Sequence, residues 1–307
     1  MAERLKLISL FEALRPAQWV KNFSLFAAVI LNGQLTNPIL FTQSVLAFIS
    51  FCLLSSSSYL VNDLQDIEND RKHPFKKFRP ITRGDVSINT AIITTALLFF
   101  LGLGISLTIN YGFFLIAVVF IFLQYSYSFI FKKKAVFDII GIALFFIIRA
   151  YAGEIATGYH LPVWIMLTVI FLSLFIASGK RRSELFTNGR ISRLALHGYG
   201  KSLLNFYTTM FAVCTLVAYS MFTFFEEKVK FQGLINQYLL ENYPTALDRK
   251  WYMLTIIPVI YGIMRYGQII FEMQAGERPE RVMATDIPLI FSVLAWGLMI
   301  ITIIYVL

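Results

Sequence analysis

Residues 40–84 read LFTQSVLAFISFCLLSSSSYLV followed by NDLQDIENDRKHPFKKFRPITRG. The first part, 40–61, carries no charge. It is long enough to cross a bilayer as a helix, which takes roughly 20 apolar residues. The second part, 62–84, gathers Asp63, Asp66, Asp70, Lys76, Lys77, Arg79 and Arg83. Charge this dense beside a membrane-like segment is costly unless it holds something charged. The acids point to a divalent metal and the bases to phosphate.

Working outward, the same apolar pattern recurs. The spacing predicts nine spans, near 21–35, 40–61, 87–108, 111–130, 137–158, 162–179, 203–225, 251–271 and 286–306. The first is the weakest, because Asn32 and Gln34 close it early. The chain is 57% hydrophobic and only 15% charged, well below the share in soluble domains. The fold class expected is all-α, a polytopic membrane helical bundle, with residues 1–307 forming one integral-membrane domain. Most of the 27 Lys and Arg residues lie in the N-terminal tail and in the loops after the second, fourth, sixth and eighth spans. The positive-inside rule puts that end in the cytoplasm and the protein in the cell membrane. The expected catalytic loops, about 62–86, 131–138, 178–201 and 265–285, all share it.

Several classes lose support. The basic residues flank spans instead of forming one soluble face, so nucleic acid is not an expected partner. Cys52 and Cys214 fall inside apolar spans and read as buried small hydrophobes, not as a disulfide or thiol metal site. The charged N-terminus precedes no cleavage-site pattern and reads as leading into a retained span. No internal repeat is evident, which weighs against a transporter. Oligomeric state is left open, a homo-oligomer included.

Steps of three and four place Asp63, Asp66 and Asp70 on one helix face. Mg²⁺ suits that face, because it takes oxygen ligands and usually binds one or two carboxylates plus substrate phosphates. Pro74 should end the helix, and Lys76, Lys77 and Arg79 follow at once. His73 has no second ligand at zinc spacing. Further charge sits at or inside other spans. LRPAQWVKN brings Arg15, Trp19, Lys21 and Asn22, and YSYSFIFKKKAVFD brings Tyr127, Ser128, Lys132 and Asp138. Arg149 lies deep in IALFFIIRAYAG and should face a polar cavity rather than lipid. Asp138 is 11 residues earlier, on the same face. GKRRSEL carries Lys180, Arg181, Arg182 and Glu184, with Lys180 and Glu184 at helical i,i+4 spacing. Arg265, Tyr266 and Asp286 mark the last charged loop.

NDxxDxxxD at Asn62–Asp70, with nine spans, resembles the UbiA superfamily of intramembrane prenyltransferases. The longer form through Ile81, with RPxQWVKN, YSxxxK, the Asp138 to Arg149-Ala stretch, GKRRSEL, Arg265-Tyr266 and the Asp286 loop end, is similar to its decaprenyl-phosphate phosphoribosyltransferase branch. That resemblance implies transfer of phosphoribose from phosphoribosyl pyrophosphate (PRPP) to a polyprenyl phosphate, with Mg²⁺ held by Asp63, Asp66 and Asp70 as the catalytic and metal residues. It implies substrate contacts from Lys21, Asn62, Lys76, Arg79, Tyr127, Lys132, Asp138, Arg149, Lys180, Arg181, Glu184 and Arg265. The prenyl-diphosphate branch normally has a second Asp-rich motif after the sixth span, whereas here that loop is basic with a single acid, Glu184. Prenyl transfer to an aromatic acceptor is therefore the nearest rival, and a lipid or solute transporter a remoter one.

Overall fold

Asn110 shows how single residues punctuate the apolar sequence. Its extended backbone interrupts helical geometry, and its side-chain oxygen accepts from Phe113 N–H at 2.7 Å. An otherwise apolar run thus becomes two helices, α6 (Ile88–Ile109) and α7 (Tyr111–Phe129). Its amide also donates to the Ile155 carbonyl at 2.8 Å, tying that turn to the next hairpin. Similar caps start other spans. Asn37 caps α3 (Pro38–Gln65), with Pro38 set at the first turn, and Ser87 caps α6.

This computed structural model describes residues 2–72, 76–188, 194–226, 235–243, 245, 249–273, 276 and 279–307. His73 and Pro74 lie outside them. The described residues include no strand. An N-terminal helix, α1 (Ala2–Ala13), leads into a 3₁₀ helix, Pro16–Phe26, and the short α2 (Ala27–Leu31). After α3 come the short α4 (Ile67–Lys72) and α5 (Pro80–Arg83), then α6 and α7. The remaining helices are α8 (Phe137–Thr157), α9 (Val163–Asn188), α10 (Lys201–Phe225), α11 (Asn236–Asn242), α12 (Ile256–Phe271), α13 (Pro279–Thr285) and α14 (Ile287–Tyr305).

Among the described residues, eight helices are long and apolar enough to cross a membrane, and they coincide with eight of the nine expected spans. One expected boundary moves: α9 continues to Asn188, so the first part of the expected loop 178–201 is helix. The protein is a multi-pass membrane protein. The expected first span, 21–35, differs: it is split between the 3₁₀ helix and α2. A 3₁₀ helix rises about 2.0 Å per residue, so its 11 residues reach about 22 Å. The 5 residues of α2 add about 7.5 Å. Together they approach the roughly 30 Å of a hydrocarbon core. The segment is not lipid-facing throughout, since Asn22, Leu25, Ala28 and Val29 are buried. Gly153 explains how tightly it packs on α8: a Cβ there would meet the Leu25 carbonyl oxygen at 2.4 Å.

Phenylalanine serves both environments. Phe51, Phe113 and Phe120 are fully buried, with the Phe51 and Phe120 rings 4.6 Å apart. Phe100 and Phe122 face outward at 70% and 68% exposure, as a lipid-solvated surface requires. The last turns of α3, α7, α9 and α12, with the segments that follow α3 and α7, carry most of the candidate chemistry.

Candidate active site

Helix α3 delivers the first acid. Asp63 lies in its last turn, and Asp66 breaks the helix at the C-cap before α4 presents Asp70. The expected single helical face is therefore two short faces joined at Asp66. Asp63 and Asp70 are buried and Asp66 is partly exposed. Each acid has a cationic partner. Asp63 pairs with Arg15 and, at 3.0 Å, with Arg79. The same Arg79 guanidinium holds Asp70 at 2.5 Å. Lys132, brought in by the 3₁₀ turn Phe131–Lys133, reaches Asp66 at 3.4 Å. Three carboxylates are thus matched by three cations, and two of those acids converge on one positive charge.

Among the described residues, no three His, Cys, Asp or Glu side chains gather closely enough to hold a metal unaided. The expected Asp63, Asp66 and Asp70 set is thus not gathered as three ligands; Mg²⁺ is usually bound through one or two carboxylates with phosphate oxygens completing its shell. The donor set, hard oxygens of Asp63 and Asp70 already aimed at one cation, fits such an ion.

Deeper in the bundle, Arg149 is 2% exposed. Its Nε donates to Asn22 Oδ1 at 2.6 Å, and its other nitrogens to the Phe145 carbonyl at 2.7 Å and Ser55 Oγ at 3.5 Å. Its guanidinium lies 4.9 Å from the Phe120 ring centre. These partners are neutral. Among the described residues no carboxylate pairs with it, Asp138 included, although the two share a helix face. Asn22 is held in turn by its amide donating to Cys52 Sγ at 3.2 Å. Ser55 precedes Asp63 on α3 by eight residues, or about 12 Å of helix. A lone positive charge therefore lies about two turns below the acidic cluster.

The α9 group is different. Arg181 is fully buried. Its Nε meets Asp138 Oδ2 at 2.5 Å, another nitrogen pairs with Glu184, and a third donates to the Tyr127 hydroxyl at 3.0 Å. Arg182 donates to Asn205 Oδ1 and to the Ile270 carbonyl, both at 2.7 Å, between the Phe186 and Phe271 rings. Arg265 makes a two-pronged pair with Asp286 at 2.7 and 3.1 Å. That pairing ties α12 to the N-terminus of α14, apart from the acidic cluster's own bonds. It holds the Asp286 carboxyl below its usual range.

The expected residues thus sort by access. Lys21, Asn62, Lys76, Arg79, Tyr127, Lys132, Lys180 and Arg265 are partly exposed. Asp138, Arg149, Arg181 and Glu184 are buried. Two contributors were not anticipated. Tyr199 donates its hydroxyl to Asp138 at 2.6 Å. The serine run within α3 serves three neighbours: Ser55 meets Arg149, Ser56 donates to the Leu14 carbonyl, and Ser57 to the Thr95 carbonyl. Four consecutive serines in an apolar span were a legible signal for interhelical bonding.

The UbiA prenyltransferase family matches residues 22–228. Decaprenyl-phosphate phosphoribosyltransferase of Mycolicibacterium smegmatis is 35% identical over 94% of this chain and 89% of its own. The protein of the same name from Corynebacterium glutamicum is 33% identical over 97% and 87%. A solved UbiA homolog from Archaeoglobus fulgidus bound to DMAPP and Mg²⁺ shares the fold, with a TM-score of 0.70 at 21% identity over 96% of this chain and 99% of that one. The matched residues, the full-length relatives and the common helical fold agree: the chain belongs to the UbiA prenyltransferase family.

Proposed function

We infer that this protein transfers 5-phosphoribose from PRPP to a polyprenyl phosphate, with release of diphosphate. The observation that carries this reading is the asymmetry between two segments at the charged end. The α3–α5 segment supplies carboxylates that converge on one cation, whereas the last turns of α9 supply Lys180, Arg181 and Arg182 with one acid, Glu184, already committed to Arg181. One metal-type site and a cationic rim suit a donor with a diphosphate and a further phosphate. The relatives named decaprenyl-phosphate phosphoribosyltransferase support the same substrates.

In the reaction, the bond between ribose C1 and the diphosphate oxygen breaks, and a lipid phosphate oxygen forms the new bond to C1. That nucleophile is a phosphate monoester, largely ionised at neutral pH with a second pKa of about 6, so no strong general base is required. Arg15, Arg79 and Lys132 are each held by a carboxylate and are positioned to hold diphosphate instead. Lys21, Asn62, Lys76 and Lys180 supply the partly exposed rim for the donor's other oxygens. Arg149 offers its unneutralised charge to an anion entering the bundle. Mg²⁺, held by Asp63 and Asp70 with Asp66 beside them, would neutralise charge on the departing diphosphate; the solved homolog with DMAPP and Mg²⁺ makes this ion the natural choice. The protein's own contribution is positioning and charge neutralisation. We place the charged end in the cytoplasm of a cell membrane, by the distribution of Lys and Arg.

The test supplies purified protein with Mg²⁺, labelled PRPP and a polyprenyl phosphate, and separately with a prenyl diphosphate and 4-hydroxybenzoate. Labelled lipid in the first mixture alone supports the reading. A prenylated acceptor in the second alone overturns it.

A further inference from the structure

Val136 has φ 70° and ψ −51°. A β-branched residue rarely occupies the positive-φ half of backbone space, because its side chain crowds the adjoining peptide groups. Such a conformation persists only where the surroundings over-determine it. Val136 itself is exposed, so its side chain is not what holds it. Its backbone N–H donates to the Tyr199 hydroxyl at 2.5 Å. That hydroxyl donates onward to Asp138 Oδ1 at 2.6 Å. The other Asp138 oxygen meets Arg181, which also grips Tyr127 and Glu184. Tyr199 is 1% exposed, in a core with Ile139, Leu185 and Leu204. The preceding Gly198 lets the two loops touch: a Cβ there would lie 2.6 Å from that of Ala135.

We propose that Tyr199 is a positioning residue for Lys132, acting by locking the loop between α7 and α8 in its strained form. Lys132 lies in that loop, just ahead of Val136, and reaches Asp66 from it. Without the hydroxyl, Val136 relaxes to negative φ and the loop carries Lys132 away from the acids. The Arg181–Asp138 pair, buried and joined to Tyr127, then anchors the latch and does not touch substrate. This inference rests on the proposed phosphate-binding role of Lys132.

Two measurements test it. Lys133 and Lys134 are exposed in this loop. Tryptic cleavage after them, located by mass spectrometry in detergent, reads the loop without any assay of activity. Tyr199→Phe should speed it several-fold; an unchanged rate overturns the latch. In the phosphoribose assay, Tyr199→Phe should lower kcat/KM about tenfold, through loss of the hydroxyl that holds the Val136 N–H. Adding Val136→Gly should restore most of the loss, because glycine adopts positive φ without crowding. No restoration, or a deeper loss, shows that Tyr199 acts only through general stability and overturns the proposal. A wild-type protein inactive with PRPP would refute the functional reading, while cleavage would still decide the latch.

Discussion

Arg181 of α9 and Asp138 of α8 form an ion pair at 2.5 Å with neither side chain exposed. Fully buried pairs differ from surface ones in what their removal does. Deleting one partner strands the other as an uncompensated charge, at a cost of about 3–5 kcal/mol. Arg181→Met should therefore lower the thermal midpoint strongly and leave little folded protein in detergent, because both Asp138 and Glu184 lose their Arg181 contact. Adding Asp138→Leu should recover part of that stability, since only Glu184 then loses it, whereas Asp138→Leu alone should cost less because Arg181 keeps Glu184. Midpoints for the four proteins check this; equal loss in the single and double variants contradicts it.

Arg149 should behave in the opposite way. Its partners are neutral, so its removal strands no counter-charge. Its desolvation alone costs a few kcal/mol on the mildest membrane scales. Arg149→Met is expected to keep or raise the thermal midpoint while activity falls at least about a hundredfold, the size of a lost charged contact to substrate. A stable variant with wild-type turnover removes Arg149 from the site.

Asp63→Asn should leave a folded protein, because Asp70 still engages Arg79. Activity should vanish, as it should for Asp66→Asn and for the wild type in excess EDTA. Activity retained in either variant, or with EDTA, excludes the metal role of these acids.

Asp286 tests the far side of the charged end. Its carboxylate accepts from Leu289 N–H at 3.0 Å as the cap of α14 and holds Arg265. A carboxyl whose folded pKa is depressed contributes stability above its unfolded value, and that stability is lost as pH falls through the folded value. Hydrogen bonding from Arg265 depresses Asp286, so the loss falls below the ordinary carboxylate range near pH 4. Asp286→Asn should keep the cap and flatten this acid limb. Asp286→Ala should cost about 1 kcal/mol more through the lost cap. Thermal midpoints between acid and neutral pH separate the two.

Much of the fold was legible because lipid imposes a simple rule. Every backbone polar group in the bilayer must be satisfied within a helix, so apolar runs of sufficient length announce spans. Eight expected spans coincide with helices, seven of them within about four residues, while α9 runs nine residues past its expected end and takes in GKRRSEL. The segment at 21–35 is helical as expected, but its 3₁₀ start was not legible, because a short apolar run does not distinguish 3₁₀ from α periodicity. Charged residues at the span ends were also legible as candidates, from residue types at helical spacing and beside Pro and Gly. Tyr199 was not, since a tyrosine after a half-polar loop carries no signal until its hydroxyl is seen against Val136 and Asp138.

The sequence by itself determined a membrane bundle and where along it the charge is concentrated. Those follow from composition and local spacing alone. Tertiary structure decided the partnerships. Arg15 meets Asp63 across 48 positions, and Arg149 meets Asn22 across 127. No local pattern specifies such pairs. Burial then split apparently equivalent charges: Arg79 and Lys132 remain reachable, Arg149 keeps an unneutralised charge in the interior, and Arg181 is sealed among acids. The physical reason is that a charge's role depends on which groups surround it and how much water or substrate reaches it, and both are set only when distant helices pack.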